Sequence, residues 1–245
     1  MSTITPGKKE QVRKMFNSIA GKYDFLNHFL SVGIDHIWRR KVVKMLRQQK
    51  AEHVLDIATG TGDLAIAIAK GLPKSSIVGA DISENMLEIG VQKVKKKKLQ
   101  EQIKMELGDS EYLKYKDQEF DAVTVGFGVR NYEDLDKGLA EMYRVTKNDG
   151  KVYILEFSKP TAFPIKQFYN FYFKHILPLL GKMFSKDDSA YTYLPESVQA
   201  FPHGEAFLKH LSGIGYQDVV QKTMSFGIVS IYSGIKKENK SPNKV

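Results

Sequence analysis

The 245-residue chain contains no cysteine. Disulfides, Cys-ligated zinc, iron–sulfur clusters and a thiolate nucleophile are therefore excluded, and the absence favours a cytoplasmic location. Long apolar runs are missing too. The richest stretch, FPIKQFYNFYFKHILPLLGKMF over 163–184, is interrupted by Lys166, Lys174, His175, Pro178 and Lys182, and a membrane span takes roughly 20 apolar residues. The opening MSTITPGKKEQVRKMF has no apolar core of the length a secretory signal needs. No internal repeat is present. These absences predict a cytoplasmic protein, dissolved or peripheral at the inner face of a membrane.

What is present is a 42% hydrophobic composition, enough for one large or two small domains. Lys and Arg number 37 against 28 Asp and Glu, a net charge of +9. Such a balance invites a nucleic-acid or anionic-membrane partner. The excess is local, however. Lys93, Lys95, Lys96, Lys97 and Lys98 form one patch; residues 159–186 hold five Lys and no acid; the tail after Ile235 holds four Lys against Glu238. The rest of the chain is net negative. The 93–98 run closes a predicted helix, where cations complement the dipole, and reads as a solvated face.

Apolar periodicity predicts helices over residues 8–50, at Val12, Met15, Phe16 and Ile19 and again at Ile37, Trp38, Val42 and Val43. YDFLNHFLSVGID over 23–35 interrupts them with Asn27, Ser31 and Gly33. From residue 53 short apolar runs alternate with helical segments. HVLDIA (53–58), SIVGAD (76–81), IKMELGD (103–109), FDAVTVGFG (120–128) and GKVYILEFS (150–158) read as strands. Helices follow the first, second and fourth, one capped by Ser83 and one covering 132–147 with an acidic first turn. That alternation predicts a parallel sheet covered on both faces. Near the end, QDVVQKT and FGIVSIYSGIKK are separated only by Met224 and Ser225, too close for a parallel crossover, so the sheet ends in an antiparallel hairpin. Residues 1–50 are expected to form a helical lid, 51–236 the main domain with a helical, aromatic insert at 159–200, and 237–245 a disordered tail.

VLDIATGTGDLA over 54–65 sets a glycine-rich turn between a strand and a helix. Gly60, Thr61 and Gly62 bring backbone and free helix N–H groups close to a ligand. The segment also fits Gly-x-Gly-x-x-Ala, the dinucleotide pattern. Asp56, just before the turn, argues against a pyrophosphate and for a cationic ligand such as an ammonium or sulfonium. Asp81 ends the second strand, where it can accept two ribose hydroxyls. Asp109, followed by Ser110, ends the third, where it can accept from an adenine amino group. Taken singly, these acids also suit helix caps or loops. Their order resembles the class I, Rossmann-like S-adenosylmethionine-dependent methyltransferases. That resemblance implies an α/β fold with a seven-stranded, mostly parallel sheet and an antiparallel final strand, and S-adenosyl-L-methionine as cofactor.

YDFLNHFLSVGIDHIW (23–38), FGVRN (127–131), MYRVTKNDGKVYILEFSKP (142–160), YTYLPESV (191–198) and Phe201-Pro202 are similar to blocks of the ubiquinone/menaquinone biosynthesis C-methyltransferase family, over about 10–236. The resemblance implies methyl transfer to a ring carbon of a polyprenylated quinol, demethylmenaquinol to menaquinol or a benzoquinol in ubiquinone synthesis. Two departures stand out: Asp35 occupies the family's usual histidine position, and Lys147-Asn148-Asp149-Gly150 replaces a Lys-Pro-Gly-Gly turn. Methylating carbon needs an electron-rich ring, which forms as a hydroxyl proton leaves; neither a metal nor a covalent enzyme intermediate is required. Arg130, at the carboxyl end of the fourth strand, is a candidate to stabilise the developing phenolate, or it pairs with Asp134 or Asp136. Asp24 or His36 is a candidate proton acceptor, with Tyr23, Asn27 and Trp38 lining the substrate site; Tyr23 and Trp38 also suit core packing and His36 an idle helix face.

Residues 159–186 carry Phe163, Phe168, Tyr169, Phe171, Tyr172, Phe173 and Phe184, out of 14 Phe and 12 Tyr in the chain. On a helix Phe168, Tyr172, Ile176, Leu179 and Met183 share a face. Aromatics beside Lys166, Lys174 and Lys182 suit contact with an anionic membrane surface; a homodimer interface or a packed lid are the competing readings. The net charge also fits an RNA methyltransferase. Against it stand GFGVRN, in place of an Asn/Asp-Pro-Pro-Tyr-like motif, and the missing Cys nucleophile for cytosine C5, so no nucleic-acid partner is expected.

Overall fold

The computed structural model describes residues 7–31, 33–172, 175 and 189–238. Two helices precede the sheet: α1 (Lys8–Leu30) and α2 (Asp35–Gln49). The interruption expected at 23–35 is narrower than the sequence suggested. Asn27 stays inside α1 and bonds the Tyr23 hydroxyl one turn back, as i,i+4 neighbours do. The chain turns only at Ser31–Ile34, where Gly33 takes φ +71°. α2 buries Trp38, Val42, Val43 and Leu46 along one stripe and ends at Lys50, which takes the left-handed φ of 59°.

The sheet comprises β1 (His53–Ile57), β2 (Ser76–Asp81), β3 (Ile103–Leu107), β4 (Phe120–Gly126), β5 (Thr146–Phe157), β6 (Gln217–Met224) and β7 (Val229–Ile235). Their spatial order is β3-β2-β1-β4-β5-β7-β6. β1 to β5 pair in parallel, and β7 runs antiparallel to both β5 and β6. The closing hairpin is therefore present, joined by a 3-10 turn at Ser225–Gly227.

Helices α3 (Asp63–Gly71) and α4 (Glu84–Lys96) follow β1 and β2. The Ser83 hydroxyl caps α4 by accepting from the Met86 N–H at 3.3 Å. α5 (Leu135–Val145) starts later than residue 132, because Asp134 takes the cap position and accepts from Lys137 N–H at 3.0 Å. β5 starts earlier than residue 150: Phe120 pairs with Thr146 but Ala122 with Lys151, so Lys147–Gly150 bulges out of register instead of forming a simple turn. Asp149 takes φ +61° within that bulge.

α6 (Ile165–Phe171), α7 (Ser189–Ala200) and α8 (Glu205–Ile214) fill the stretch between β5 and β6. Phe173, Lys174, Ile176, Leu179, Lys182, Met183 and Phe184 of the aromatic insert, and 239–245 of the tail, lie outside the described residues. Two cores sandwich the sheet. One gathers Trp38, Leu46, Ile68 and Ile77 beneath α2 and α3; the other gathers Phe120, Leu139, Phe207 and Tyr232 beneath α5 and α8. The strands are apolar on both sides because helices cover both. Among the described residues no helix is long and apolar enough to cross a membrane.

Ile154 is fully buried in β5. Ile154→Ala is expected to lower stability by about 2–5 kcal/mol through lost transfer energy plus a residual cavity, measured by urea unfolding.

Candidate active site

Parallel strands leave their carboxyl ends as the natural crevice of an open sheet. There the chain after β1 turns sharply: Ala58, Gly60 and Gly62 take φ of +52°, +56° and +80°. Gly60 costs nothing in that region, having no Cβ. Asp81, at the end of β2, ties the turn down. Its Oδ2 accepts the Gly60 N–H at 2.8 Å and its Oδ1 the Ser83 N–H at 2.8 Å. Burial raises the Asp81 pKa from its ordinary value, opposed by those backbone N–H groups.

A first cleft opens above the turn. Gly60, Asp81, Asp109 and Ser110 line it together with Ile82 and Met86. Asp109 Oδ2 is held by Lys9 Nζ at 2.9 Å, and Lys9 reaches Glu111 at 3.0 Å. Ser110 bonds the Tyr132 hydroxyl, which burial pushes far above its ordinary pKa.

Three residues expected on this cleft do not line it. Asp56 is fully buried beneath the turn, where its carboxylate accepts from Thr59 Oγ1 at 2.7 Å and Thr124 Oγ1 at 2.6 Å. It braces the loop from below and does not face a cation; its neighbours Ile57 and Ala58 reach the cleft in its place. Thr61 donates to Asp24 at 2.5 Å and accepts from Lys93 at 3.1 Å. Gly62 serves as the N-cap of α3.

A second cleft lies on the other side of α1, with about 1720 Å3 of empty space including its mouth, and is walled by Met15, Ile19, Trp38 and Phe157. Phe16, Tyr23 and Phe127 line both clefts. Tyr23 is the polar member of that shared wall. Burial raises its phenol pKa, while the Asn27 amide and the charges of Arg130 and Arg39 oppose the rise. Asn27 lines the second cleft as well, and Trp38 does so with its Nε1 donating to Ser225 Oγ at 2.8 Å.

Arg130 also faces this apolar cleft. It pairs with neither acid at the start of α5: Asp134 caps that helix and Asp136 meets His210 at 2.6 Å. Its Nη1 instead reaches Glu156 Oε1 at 2.7 Å and the Phe127 carbonyl, its Nε reaches Ser197 Oγ at 3.3 Å, and the guanidinium lies 5.5 Å from the Phe157 ring centroid.

Two expected acceptors are elsewhere. Asp24 is committed to Lys93 at 2.6 Å and to Thr61, and lines neither cleft. His36 is exposed and lines neither, because the buried face of α2 runs through Asp35, Trp38 and Arg39. The residues that sequence reasoning missed are Asp35 and Arg39 in the apolar cleft, Glu156 behind Arg130, and Lys9 over Asp109. The i,i+4 spacing of Asp35 and Arg39 was visible; that the pair is buried was not.

Residues 4–236 match the model of the ubiE/COQ5 methyltransferase family. The chain is 48% identical over 229 residues to a protein of Bacteroides fragilis named demethylmenaquinone methyltransferase, covering 94% of each. It is 45% identical to the ubiquinone/menaquinone biosynthesis C-methyltransferase UbiE of Geobacter sulfurreducens, covering 94% of this chain and 90% of that one. Among solved structures it is similar in fold to an S-adenosylmethionine-dependent methyltransferase of Thermotoga maritima, with a TM-score of 0.63, 18% identity and coverage of 92% and 99%. The phosphoethanolamine N-methyltransferase 2 of Haemonchus contortus, solved with S-adenosyl-L-methionine, matches with a TM-score of 0.56 at 16% identity over 76% of this chain and 49% of that one.

Burial raises the pKa of Asp56 from 3.8 to about 6. The folded state thus binds its proton more tightly than the unfolded state. The protonated form stabilises the fold below pH 4, and that contribution is lost as pH rises from 4 to 6. Asp56→Asn is expected to gain about 3 kcal/mol relative to the wild type between pH 4 and pH 7, read from paired urea titrations across that range.

Proposed function

The chain belongs to the ubiE/COQ5 methyltransferase family, and on that premise we propose that it transfers the methyl group of S-adenosyl-L-methionine to a ring carbon of a polyprenylated quinol, demethylmenaquinol giving menaquinol. One observation carries this reading: a polar cleft at the strand ends and a large apolar cleft share Phe16, Tyr23 and Phe127 as a common wall.

The residues of the first cleft suit the cofactor. The Asp81 carboxylate is matched to a ribose diol, Asp109 and Ser110 to the amino edge of adenine, Ile82 and Met86 to its faces. Gly60 and Gly128 line the cleft without side chains, and a Cβ on Gly128 would collide with Ala58, so the two loops pack closely there. When bound, S-adenosyl-L-methionine supplies an electrophilic methyl on a sulfonium. The protein's own contribution is to hold an electron-rich ring against that methyl and to manage one proton and one developing charge. Tyr23 and Asn27 orient the ring hydroxyl. Arg130 stabilises the oxygen as negative charge builds, in a site where apolar walls strengthen the interaction. Its pairing with Glu156 fixes the guanidinium in place and tempers its charge.

The apolar cleft suits a prenyl chain. Phe168 and Phe226 line it and are 69% and 81% exposed, and Phe163 and Phe171 beside α6 are 82% and 57% exposed. Aromatic side chains this exposed, with Lys166 among them, support contact with an anionic membrane surface through residues 159–186 and the β6–β7 turn.

A labelled-methyl assay with short-chain demethylmenaquinol, a benzoquinol and bulk RNA in parallel tests the activity. Rapid transfer to the naphthoquinol, slower transfer to the benzoquinol and none to RNA are expected; the reverse order of quinols would overturn the ring assignment. Asp81→Ala is expected to abolish S-adenosylhomocysteine binding by calorimetry, whereas Arg130→Ala should keep it and lose at least a hundredfold in kcat. Arg130→Ala with near-normal kcat would remove Arg130 from the mechanism.

Flotation with anionic vesicles at low salt should carry the protein upward, and Phe226→Ser with Phe163→Ser should abolish it. Failure to float, together with a stable dimer in sedimentation, would reassign the exposed aromatic face to a subunit interface.

A further inference from the structure

Asp35 and Arg39 form a charged pair, 2.5 Å apart, set in the wall of a largely apolar cleft that Arg130 also lines. Asp35 is 2% exposed and Arg39 9%. Ser31 Oγ donates to Asp35 Oδ1 at 3.0 Å, and Arg39 Nη2 reaches on to Asp63 at 3.3 Å. Desolvating two ions costs several kcal/mol each, and apolar replacements at such sites are often neutral or stabilising. A buried pair facing a ligand cleft is therefore poorly explained by stability alone.

We propose that Asp35 is the catalytic group that takes the proton from the ring hydroxyl during methyl transfer. The inference rests on the quinol reading above. Among the described residues lining the apolar cleft, Asp35 is the one carboxylate. Glu156 is fully buried behind Arg130 and does not line the cleft, Asp24 is held by Lys93, and His36 is exposed outside it. Arg39, the partner of Asp35, and Arg130 both act electrostatically on the Tyr23 hydroxyl. Asp35, its partner Arg39 and Arg130 thus line the same cleft as Tyr23, and Tyr23 also borders the cofactor cleft.

The chemistry balances. The ring carbon beside the hydroxyl forms a bond to the methyl carbon, the methyl–sulfur bond breaks with its electron pair left on sulfur, and the hydroxyl proton passes to Asp35. The ring carbon's own hydrogen then leaves as a proton to water, and the proton on Asp35 returns to the oxygen, restoring the hydroxyl. Net, one proton is released. A carboxylate paired with Arg39 in the first turn of α2 is a weak base. It is sufficient here, because a hydroxyl turning into a ketone oxygen becomes far more acidic than a carboxylic acid as the carbon–carbon bond forms.

Asp35→Asn keeps the shape and removes the proton acceptor. Kinetics with short-chain demethylmenaquinol at pH 7 should show kcat down by roughly 10²–10⁴, the contribution of a positioned base, with S-adenosylhomocysteine affinity within about threefold of wild type. Raising the pH ionises the quinol in solution, so the variant's rate should climb about tenfold per unit between pH 7 and 9 while the wild type changes little. Among the described residues, Asp35 is paired with Arg39 and through it with Asp63, while Arg130 and Tyr23 line the same cleft; all are retained in the variant. Near-normal kcat in Asp35→Asn would overturn the proposal, and so would an equal deficit at every pH, which marks a structural role. If Asp35→Asn does not fold, the double variant Asp35→Asn, Arg39→Gln leaves no unpaired cation in the wall and is read in the same way. A wild-type protein that methylates no quinol would sink the functional reading itself and the proton assignment with it, a result distinguishable before any variant is made.

Discussion

The position of α1 governs both clefts. Its residues Phe16 and Tyr23 wall the polar and apolar clefts at once, so a shift of this helix would open or merge them. What fastens it is a row of separate polar ties. Asn17 Oδ1 accepts from Ser83 Oγ at 2.6 Å, Arg13 meets Glu84 at 2.9 Å, Lys9 meets Asp109 and Glu111, and Asp24 meets Lys93. Each partly exposed ion pair is worth about 0–1 kcal/mol. α1 is thus held by many weak ties, with little of it in the main cores. The tie at Asp109 occupies one oxygen of an acid that lines the polar cleft.

Beneath α1 the charges are arranged by depth. Asp81 sits at the rim of the polar cleft with its carboxylate anchored by two backbone N–H groups, so it stays oriented while facing the ligand space. Asp56, one strand over, is buried, which raises its proton affinity against the opposing hydrogen bonds from two threonine hydroxyls. In the apolar cleft the charged lining residues belong to two guanidinium–carboxylate pairs, Arg130 with Glu156 and Arg39 with Asp35. The two are not equivalent: Glu156 hides behind its arginine, leaving a cation at the surface, whereas Asp35 shares the surface with Arg39. One pair therefore presents positive charge to the cleft and the other a carboxylate as well, the two groups on which the proposed proton transfer rests.

Much of the frame was legible in the chain alone. Strand alternation, the closing hairpin, the Ser83 cap and the strand-end acids depend on local patterns, and local patterns survive the loss of context. The expectation of a helix break at Asn27 failed for a local reason of a different kind: a polar residue with a hydrogen-bond partner one turn away is tolerated inside a helix. The early start of β5 was hidden because a bulge with a positive φ at Asp149 reads as a turn. The roles of Asp24, His36 and Asp35 could not be sorted from spacing. Asp24 stands inside α1 and Asp35 and His36 in the first turn of α2, and which face of each helix is inward depends on what packs against it.

By itself the sequence determined the class of fold, because strand alternation and the glycine turn after a strand are properties of the residues themselves, while the adenosyl-type ligand came from the resemblance those motifs carry. Only the tertiary structure decided which acid faces which space. Asp56 went under the loop, Asp24 to Lys93, and Asp35 into the apolar wall, since burial and pairing are set by distant segments, α1 and α4 above all, whose approach no window of neighbouring residues records.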